Sequence, residues 1–250
     1  MYLGAKNMPI NISNYDKLTH EAIKHFWQSR ETAAQSQESR GISDQGNRSS
    51  VTAGKNMDGF SRMVKQIILD NGLHESNIFH TGRNEINLPG YYRPTKNWDL
   101  IVVKNNKLIA VIELKSQVGP SFGNNFNNRV EEALGNSTDI LAAFKKGAFK
   151  ESTKPFLGYL FVLEECEKSM SDVKFISPHF PAFPEFNNTS YAKRYEIFCR
   201  KIIQEGLYDS ASLILTKRET SRAGEYRCMS DITGIETFVR ALASKVAANV

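Results

Sequence analysis

Three ionisable residues, Asp99, Glu113 and Lys115, stand in two strongly apolar runs, W-D-L-I-V-V and L-I-A-V-I-E-L-K. Runs of that kind form buried strands, where a charge is costly unless it is paired or binds a metal. Glu113 and Lys115 are two residues apart, so on a strand both project from one face. Hydrolysing a phosphodiester requires charge stabilisation at phosphorus, a nucleophilic water and help for the leaving oxygen. A hard divalent cation supplies the first two, and Mg2+ takes oxygen ligands, usually one or two carboxylates with water and substrate phosphate. The trio therefore reads as a metal-dependent nuclease centre. Asp99 and Glu113 are the candidate metal ligands, joined by the backbone carbonyl of Leu114, and Lys115 contacts the scissile phosphate or orients the attacking water.

This reading carries a register condition. The polar residues Lys104 to Lys107 predict a hairpin between the two strands. With a strict two-residue turn at Asn105-Asn106, Asp99 would face Ile112, and the two acids would lie on opposite faces of the sheet. A shared metal thus requires a three-residue loop, a β-bulge or a bent strand entrance.

Polar groups flank the centre on both sides. The stretch S-F-G-N-N-F-N-N-R after the second strand contains Ser121, Asn124, Asn125, Asn127, Asn128 and Arg129. Asparagine can pair with adenine N6 and N7, and arginine with guanine O6 and N7, so this stretch is a candidate DNA-binding loop. Asparagine is equally favoured in turns and helix caps, which predicts a helix start at Asn127 or Asn128. Before the first strand, L-P-G-Y-Y-R-P-T-K reads as an irregular connection whose Arg93 and Lys96 are placed to meet a substrate phosphate. Asp58, in the first turn of an earlier helix, complements the helix dipole and is an additional metal-ligand candidate.

The elements that must hold these groups follow from apolar periodicity. Helices are expected from Asn14 to Ser29, from an Asn56 cap to Asn71-Gly72, from Val130 to Phe144 with a break around Gly135 to Thr138, around Tyr191 to Ile202, and from Asp231 to Ala247. Strands are expected at Trp98–Val103, Leu108–Lys115, Pro155–Leu163 and 211–216. Arg30 to Asn56 lacks aromatic residues and is rich in Ser, Gln, Gly and Asn, which predicts a mobile polar loop whose Arg30, Arg40, Arg48 and Lys55 suit phosphates. S-P-H-F-P-A-F-P is too proline-rich for regular structure. Strands separated by helices predict an α/β fold with a mixed central sheet flanked by helices. No internal repeat or boundary divides the 250 residues, so one nuclease domain spanning 1–250 is expected.

Composition narrows the function classes. The chain is 40% hydrophobic and 24% charged, with a net charge of +5 that permits a polyanionic partner. No apolar run reaches the length that spans a bilayer, and the N-terminus lacks a signal segment. The three cysteines, Cys166, Cys199 and Cys228, are widely spaced without a CxxC. That argues against a disulfide framework or zinc site and for a reducing cytoplasm. Phosphate-loop, dinucleotide-binding, H-E-x-x-H and G-x-S-x-G signatures are absent, and the five histidines form no cluster in the sequence.

At D-(x13)-E-L-K and the adjoining V-G-P-S-F-G-N-N-F-N-N-R, the sequence resembles the XhoI family of type II restriction endonucleases, within the PD-(D/E)xK nuclease superfamily. K-N-M-D-G-F, L-P-G-Y-Y-R-P-T-K-N-W-D and S-P-H-F-P-A-F-P-E-F also match, so the resemblance spans about Lys55 to Gly206. Asp99 follows Trp98 where the superfamily name has proline. The resemblance implies a restriction-endonuclease-like core and a Mg2+-dependent bacterial endonuclease. It also implies a homodimer that cuts double-stranded DNA within CTCGAG, leaving 5′-phosphate ends and a 5′ overhang, with a DNA methyltransferase of the same specificity protecting the host. The catalytic residues it carries over are Asp99, Glu113 and Lys115. Two rivals remain on sequence alone: a non-cleaving DNA-binding protein, and a PD-(D/E)xK nuclease of DNA repair.

Overall fold

The computed structural model describes residues 9–38, 55–82 and 85–250. Its centre is a six-stranded mixed sheet in the order β1-β4-β5-β6-β7-β8, formed by Ile78–Phe79, Leu100–Lys104, Lys107–Gln117, Phe156–Glu164, Ser210–Thr216 and Arg227–Cys228. β5, β6 and β7 run parallel, while β1, β4 and β8 join the edges antiparallel. A separate ladder pairs β2 (Asn87–Pro89) with β3 (Thr95–Asn97). The helices are α1 (Tyr15–Glu38), α2 (Asp58–Asp70), α3 (Gly123–Lys145), the short α4 (Glu167–Met170), α5 (Tyr191–Gln204) and α6 (Ile235–Ala247). This is the α/β architecture expected from the sequence, with a mixed sheet flanked by helices.

Alternation along the strands divides the core into two layers. Leu160, Val162 and Ile214 face one way and pack with Phe26 of α1, Ile67 of α2 and Phe238 of α6. Tyr159, Phe161 and Leu213 face the other way, against Ile140 of α3 and Tyr195 of α5. Because both faces are covered, every residue of β6 and β7 is buried, which is why these strands read as continuous apolar runs. Gly158 of β6 is required by this packing, since a Cβ there would come within 2.7 Å of Ile112 Cδ1.

Several expectations are corrected. Residues 30–38, assigned to a mobile loop, continue α1 through Glu38. Glu31, Ala33, Ala34 and Gln35 are good helix formers, which carries the helix on without a run of apolar residues. Arg30 is therefore buried rather than free for a phosphate: it donates from Nη2 to Ser116 Oγ at 3.2 Å and stacks on Phe26. Burial pushes its guanidinium down to about 10. Arg40, Arg48 and the side chain of Lys55 lie outside the described residues. Asn56 is buried inside a 3-10 turn rather than at the cap; Met57 occupies the N-cap position of α2, and the helix ends at Asn71-Gly72 as expected.

Two further corrections bear on the site. L-P-G-Y-Y-R-P-T-K is not irregular throughout, because Leu88 pairs with Lys96 and Pro89 with Thr95. The prolines fit because Pro89 ends β2 and Pro94 lies just before β3. The Asn-rich stretch is not a loop capped at Asn127 or Asn128. α3 begins at Gly123 and runs unbroken through Gly135, which faces open space.

Candidate active site

Asn105 and Asn106 adopt φ values of 49° and 62° and form a two-residue turn, with Lys104 opposite Lys107. That turn alone would set the two acids on opposite faces. The register shifts, however, between Val102 and Val103: Val103 pairs with Leu108 but Val102 pairs with Ala110, leaving Ile109 as the extra residue of a β-bulge. Ile109 and Ala110 accordingly both enter the core layer that holds α1 and α2, although they are consecutive. Beyond the bulge Leu100 pairs with Ile112, so Asp99 comes opposite Glu113. Ile101 and Val111 lie in the same core layer, and alternation carries Asp99 and Glu113 onto that face with them. The bulge that a shared site requires is present.

Glu113 is fully buried at 0% exposure. Its Oε1 accepts from Lys115 Nζ at 2.9 Å and pairs with Lys96 Nζ at 3.5 Å. Asn136 Nδ2, from α3, donates to Oε1 and Oε2 at 2.9 and 3.0 Å. Burial alone would raise the carboxyl's pKa, but Lys115, Lys96 and these hydrogen bonds outweigh it and hold the group below its usual range. Asp99 Oδ2 accepts from the Leu114 N–H at 2.8 Å. Burial raises the Asp99 carboxyl, and Lys115 and the Leu114 amide only partly offset this. Burial would lower Lys115, but Glu113 and Asp99 reverse that and raise it. Lys96 goes down, because burial prevails over its attraction to Glu113.

The donor set suits a hard cation. A strand residue points its N–H and C=O to the same side, so the Leu114 carbonyl opens toward the gap that Asp99 occupies beyond the start of β4. Two carboxylates and one carbonyl, all oxygen, match what Mg2+ takes from a protein when water and substrate phosphate complete its shell. Among the described residues, no group of three or more His, Cys, Asp or Glu side chains could cage a metal. Asp58 is not brought to this set. It is exposed at the start of α2, which packs on the opposite sheet face, and its charge bears on His25 and His80.

The residues expected to meet DNA have separate fates. Ser121 is exposed, and Asn124, Asn127 and Asn128 are exposed at helical spacing of three and four, forming one outward face on the first turns of α3. Asn125 turns back to donate to the Ser121 carbonyl at 2.7 Å. Arg129 pairs with Glu132 at 2.5 Å, and its charge reaches Lys115. Lys96 is part of the acidic cluster, with its ammonium 3.9 Å from the Trp98 ring centroid. Arg93 is tied to Asp139 and Asn136 of α3, both at 2.7 Å.

Two residues of the site were not foreseen. Gln117 continues the Glu113–Lys115 face of β5 and fixes the start of α3, donating to the carbonyls of Ser121 and Phe122 at 2.8 and 3.1 Å and accepting from Tyr195. Asn136 holds Glu113. The available signal was positional: Asn136 and Asp139 share the buried stripe of α3 with Ala133, Ile140 and Ala143, where polar groups need a partner.

Comparison with known proteins gives the family. The family model described as "Restriction endonuclease XhoI" matches residues 36–228. The chain is 47% identical to the type II restriction enzyme XhoI of Xanthomonas vasicola over 199 residues, covering 80% of this chain and 79% of that protein. It is 48% identical to BstVI of Geobacillus stearothermophilus over 209 residues, covering 82% and 92%. It is 47% identical to AbrI of Azospirillum brasilense over 173 residues, covering 69% and 77%. No solved structure matches it. With the matched region enclosing Asp99, Glu113, Lys115 and the asparagine face of α3, the chain belongs to the XhoI restriction endonuclease family and is a site-specific deoxyribonuclease.

Proposed function

We propose that this chain is a type II restriction endonuclease that hydrolyses double-stranded DNA at the palindrome CTCGAG, using Mg2+ and leaving 5′-phosphate ends. The observation that carries the chemistry is the β-bulge after Val102, which puts Asp99 opposite Glu113 while Lys115 is bonded to Glu113. The resemblance to the XhoI family, at 47% identity to the type II restriction enzyme XhoI, supports the choice of site.

In this reading Asp99, Glu113 and the Leu114 carbonyl hold the cation. When bound, the cation neutralises charge at the scissile phosphate and activates a water. The protein groups supply the rest. Lys115, kept protonated by two acids, presents its ammonium to a phosphate oxygen or to the attacking water. Lys96 pairs with Glu113, and its ammonium also lies over the Trp98 ring. A phosphate arriving beside it offers that ammonium a second acceptor. Arg129, in the second turn of α3, adds positive charge that reaches Lys115. Asn124, Asn127 and Asn128 face outward to read bases, and Ser121 is exposed just before them.

A palindromic site cut on both strands calls for a two-fold dimer, with one centre per strand. The homodimer, the bacterial cytoplasm and a partner methyltransferase of the same specificity belong to this proposal. The test is incubation of a plasmid bearing CTCGAG with the protein, with and without Mg2+. Discrete double-strand fragments that require the metal support it. Binding without cleavage favours a non-cleaving DNA-binding protein, and structure-dependent nicking favours a repair nuclease.

A further inference from the structure

Asn136 touches Glu113 with one end of its amide and Arg93 with the other. Its Nδ2 donates to both carboxylate oxygens at 2.9 and 3.0 Å, and its Oδ1 accepts from Arg93 Nη2 at 2.7 Å. The orientation of the amide is dictated by chemistry. A guanidinium only donates and a carboxylate only accepts, so the opposite flip would face donor to donor and acceptor to acceptor. Arg93 is fixed in turn: its Nε donates to Asp139 Oδ2 at 2.7 Å. Asp139 Oδ1 takes the backbone N–H groups of Tyr91 and Tyr92 at 2.7 and 2.8 Å. The tip of the β2–β3 hairpin thus closes on one α3 carboxylate. It does so tightly, because a Cβ on Gly90 would come within 2.5 Å of Asp139 Oδ2 and 2.7 Å of the Arg93 carbonyl. Asn136 and Asp139 are 7% and 4% exposed, so neither finds its partners in water.

We propose that Asn136 is a positioning residue for Glu113, and that the hairpin residues Arg93 and Gly90, through Asp139, hold it in place. The proposal rests on reading Glu113 as a metal ligand. Lys115 and Lys96 both approach Oε1 and would let the carboxylate pivot about that oxygen. A donor shared between Oε1 and Oε2 opposes the pivot and fixes the plane in which the remaining lone pairs point. Arg93 accordingly acts on the centre through Asn136, and its half-exposed guanidinium is already engaged by Asp139 and Asn136.

The test uses the full chain bound to a CTCGAG duplex. Ca2+ is titrated calorimetrically as a probe without turnover, single-turnover cleavage is measured in Mg2+, and thermal unfolding checks the fold. Asn136→Ala and Arg93→Gln should each weaken Ca2+ binding and slow cleavage by roughly 10–100-fold, the range for groups that orient a metal ligand. Duplex affinity without metal should not change. The double variant should be no worse than Asn136→Ala, since both changes cut one chain of contacts. Gly90→Ala, which leaves the buried amide intact, should reproduce the Arg93→Gln effect and carries the test if Asn136→Ala fails to fold. Wild-type Ca2+ binding in folded Arg93→Gln and Gly90→Ala would overturn the proposal. So would losses that multiply in the double variant, because Arg93 would then act on DNA independently. A wild-type protein that neither binds Ca2+ nor cleaves would instead overturn the nuclease reading itself.

Discussion

Glu113 carries the site at the scale of single residues. It has no exposure, and it is contacted by Lys115, Lys96 and Asn136, with the Tyr208 hydroxyl beside it. Such a charge is retained only where its partners compensate its desolvation. Glu113→Gln keeps the shape while removing the charge, so it should abolish cleavage and preserve binding to a CTCGAG duplex, measured by gel shift beside a cleavage assay. Loss of cooperative unfolding in that variant would assign Glu113 a structural role instead. Asp99, Glu113 and Lys115 were legible in the sequence because ionised groups inside apolar strands are conspicuous. Asn136 was not, since a neutral amide in a helix stands out only once the buried stripe of α3 is known. The sequence offers Lys96 as a cation for a substrate phosphate but not as a partner of Glu113, because the prolines around it disguise β2 and β3 as irregular chain.

Among the elements, the β4–β5 hairpin and α3 decide the geometry. The need for a bulge or its equivalent could be derived from the spacing of Asp99 and Glu113, whereas its position at Ile109 could not, because a bulge in an apolar strand leaves no residue signature. The start of α3 was misplaced for a similar reason. Phe122 and Phe126 pack on Tyr191 and Tyr195, and that tertiary contact overrides the turn preference of the asparagines between them. Placing these asparagines on a helix makes the reading residues testable. Asn127→Ala or Asn128→Ala should cost roughly 1–3 kcal/mol of discrimination against altered sites if the residue pairs with a base. Arg129→Ala should weaken all duplexes alike and reduce the salt slope by about 1, as for a lost phosphate contact. Competition binding at several salt concentrations separates the two outcomes.

The α5 helix offers a pH test remote from the centre. Burial would raise the carboxyl of Glu196, but hydrogen bonds from Ser230, Thr233 and Arg200 outweigh that and hold it below its usual range. A carboxyl depressed in the folded state stabilises the fold above its unfolded pKa and loses that contribution as pH falls through its folded pKa. Glu196→Gln should therefore lower Tm at neutral pH, corresponding to about 1–3 kcal/mol. The gap to wild type should narrow below about pH 4, since the unfolded carboxyl titrates near there. A gap that stays constant from neutral to acid pH would contradict the assignment.

Over the whole molecule, the sheet brings the working groups to one end. β4 starts there with Asp99 before it, β5 carries Glu113 and Lys115 toward its carboxyl end, and α3 begins just beyond. The layered α/β plan was legible because fully buried strands and amphipathic helices have different apolar periods. The extent of α1 was not, because a polar stretch of helix and a polar loop share a composition. The central claim is that this end of the sheet cuts DNA at one palindrome. It is tested most directly by mapping the ends produced from sequenced DNA with wild type and Glu113→Gln. Wild type should make double-strand cuts confined to CTCGAG, only with Mg2+, with 5′-phosphate ends, and Glu113→Gln should make none. Cuts at unrelated sequences, or undiminished cutting by Glu113→Gln, would contradict the account.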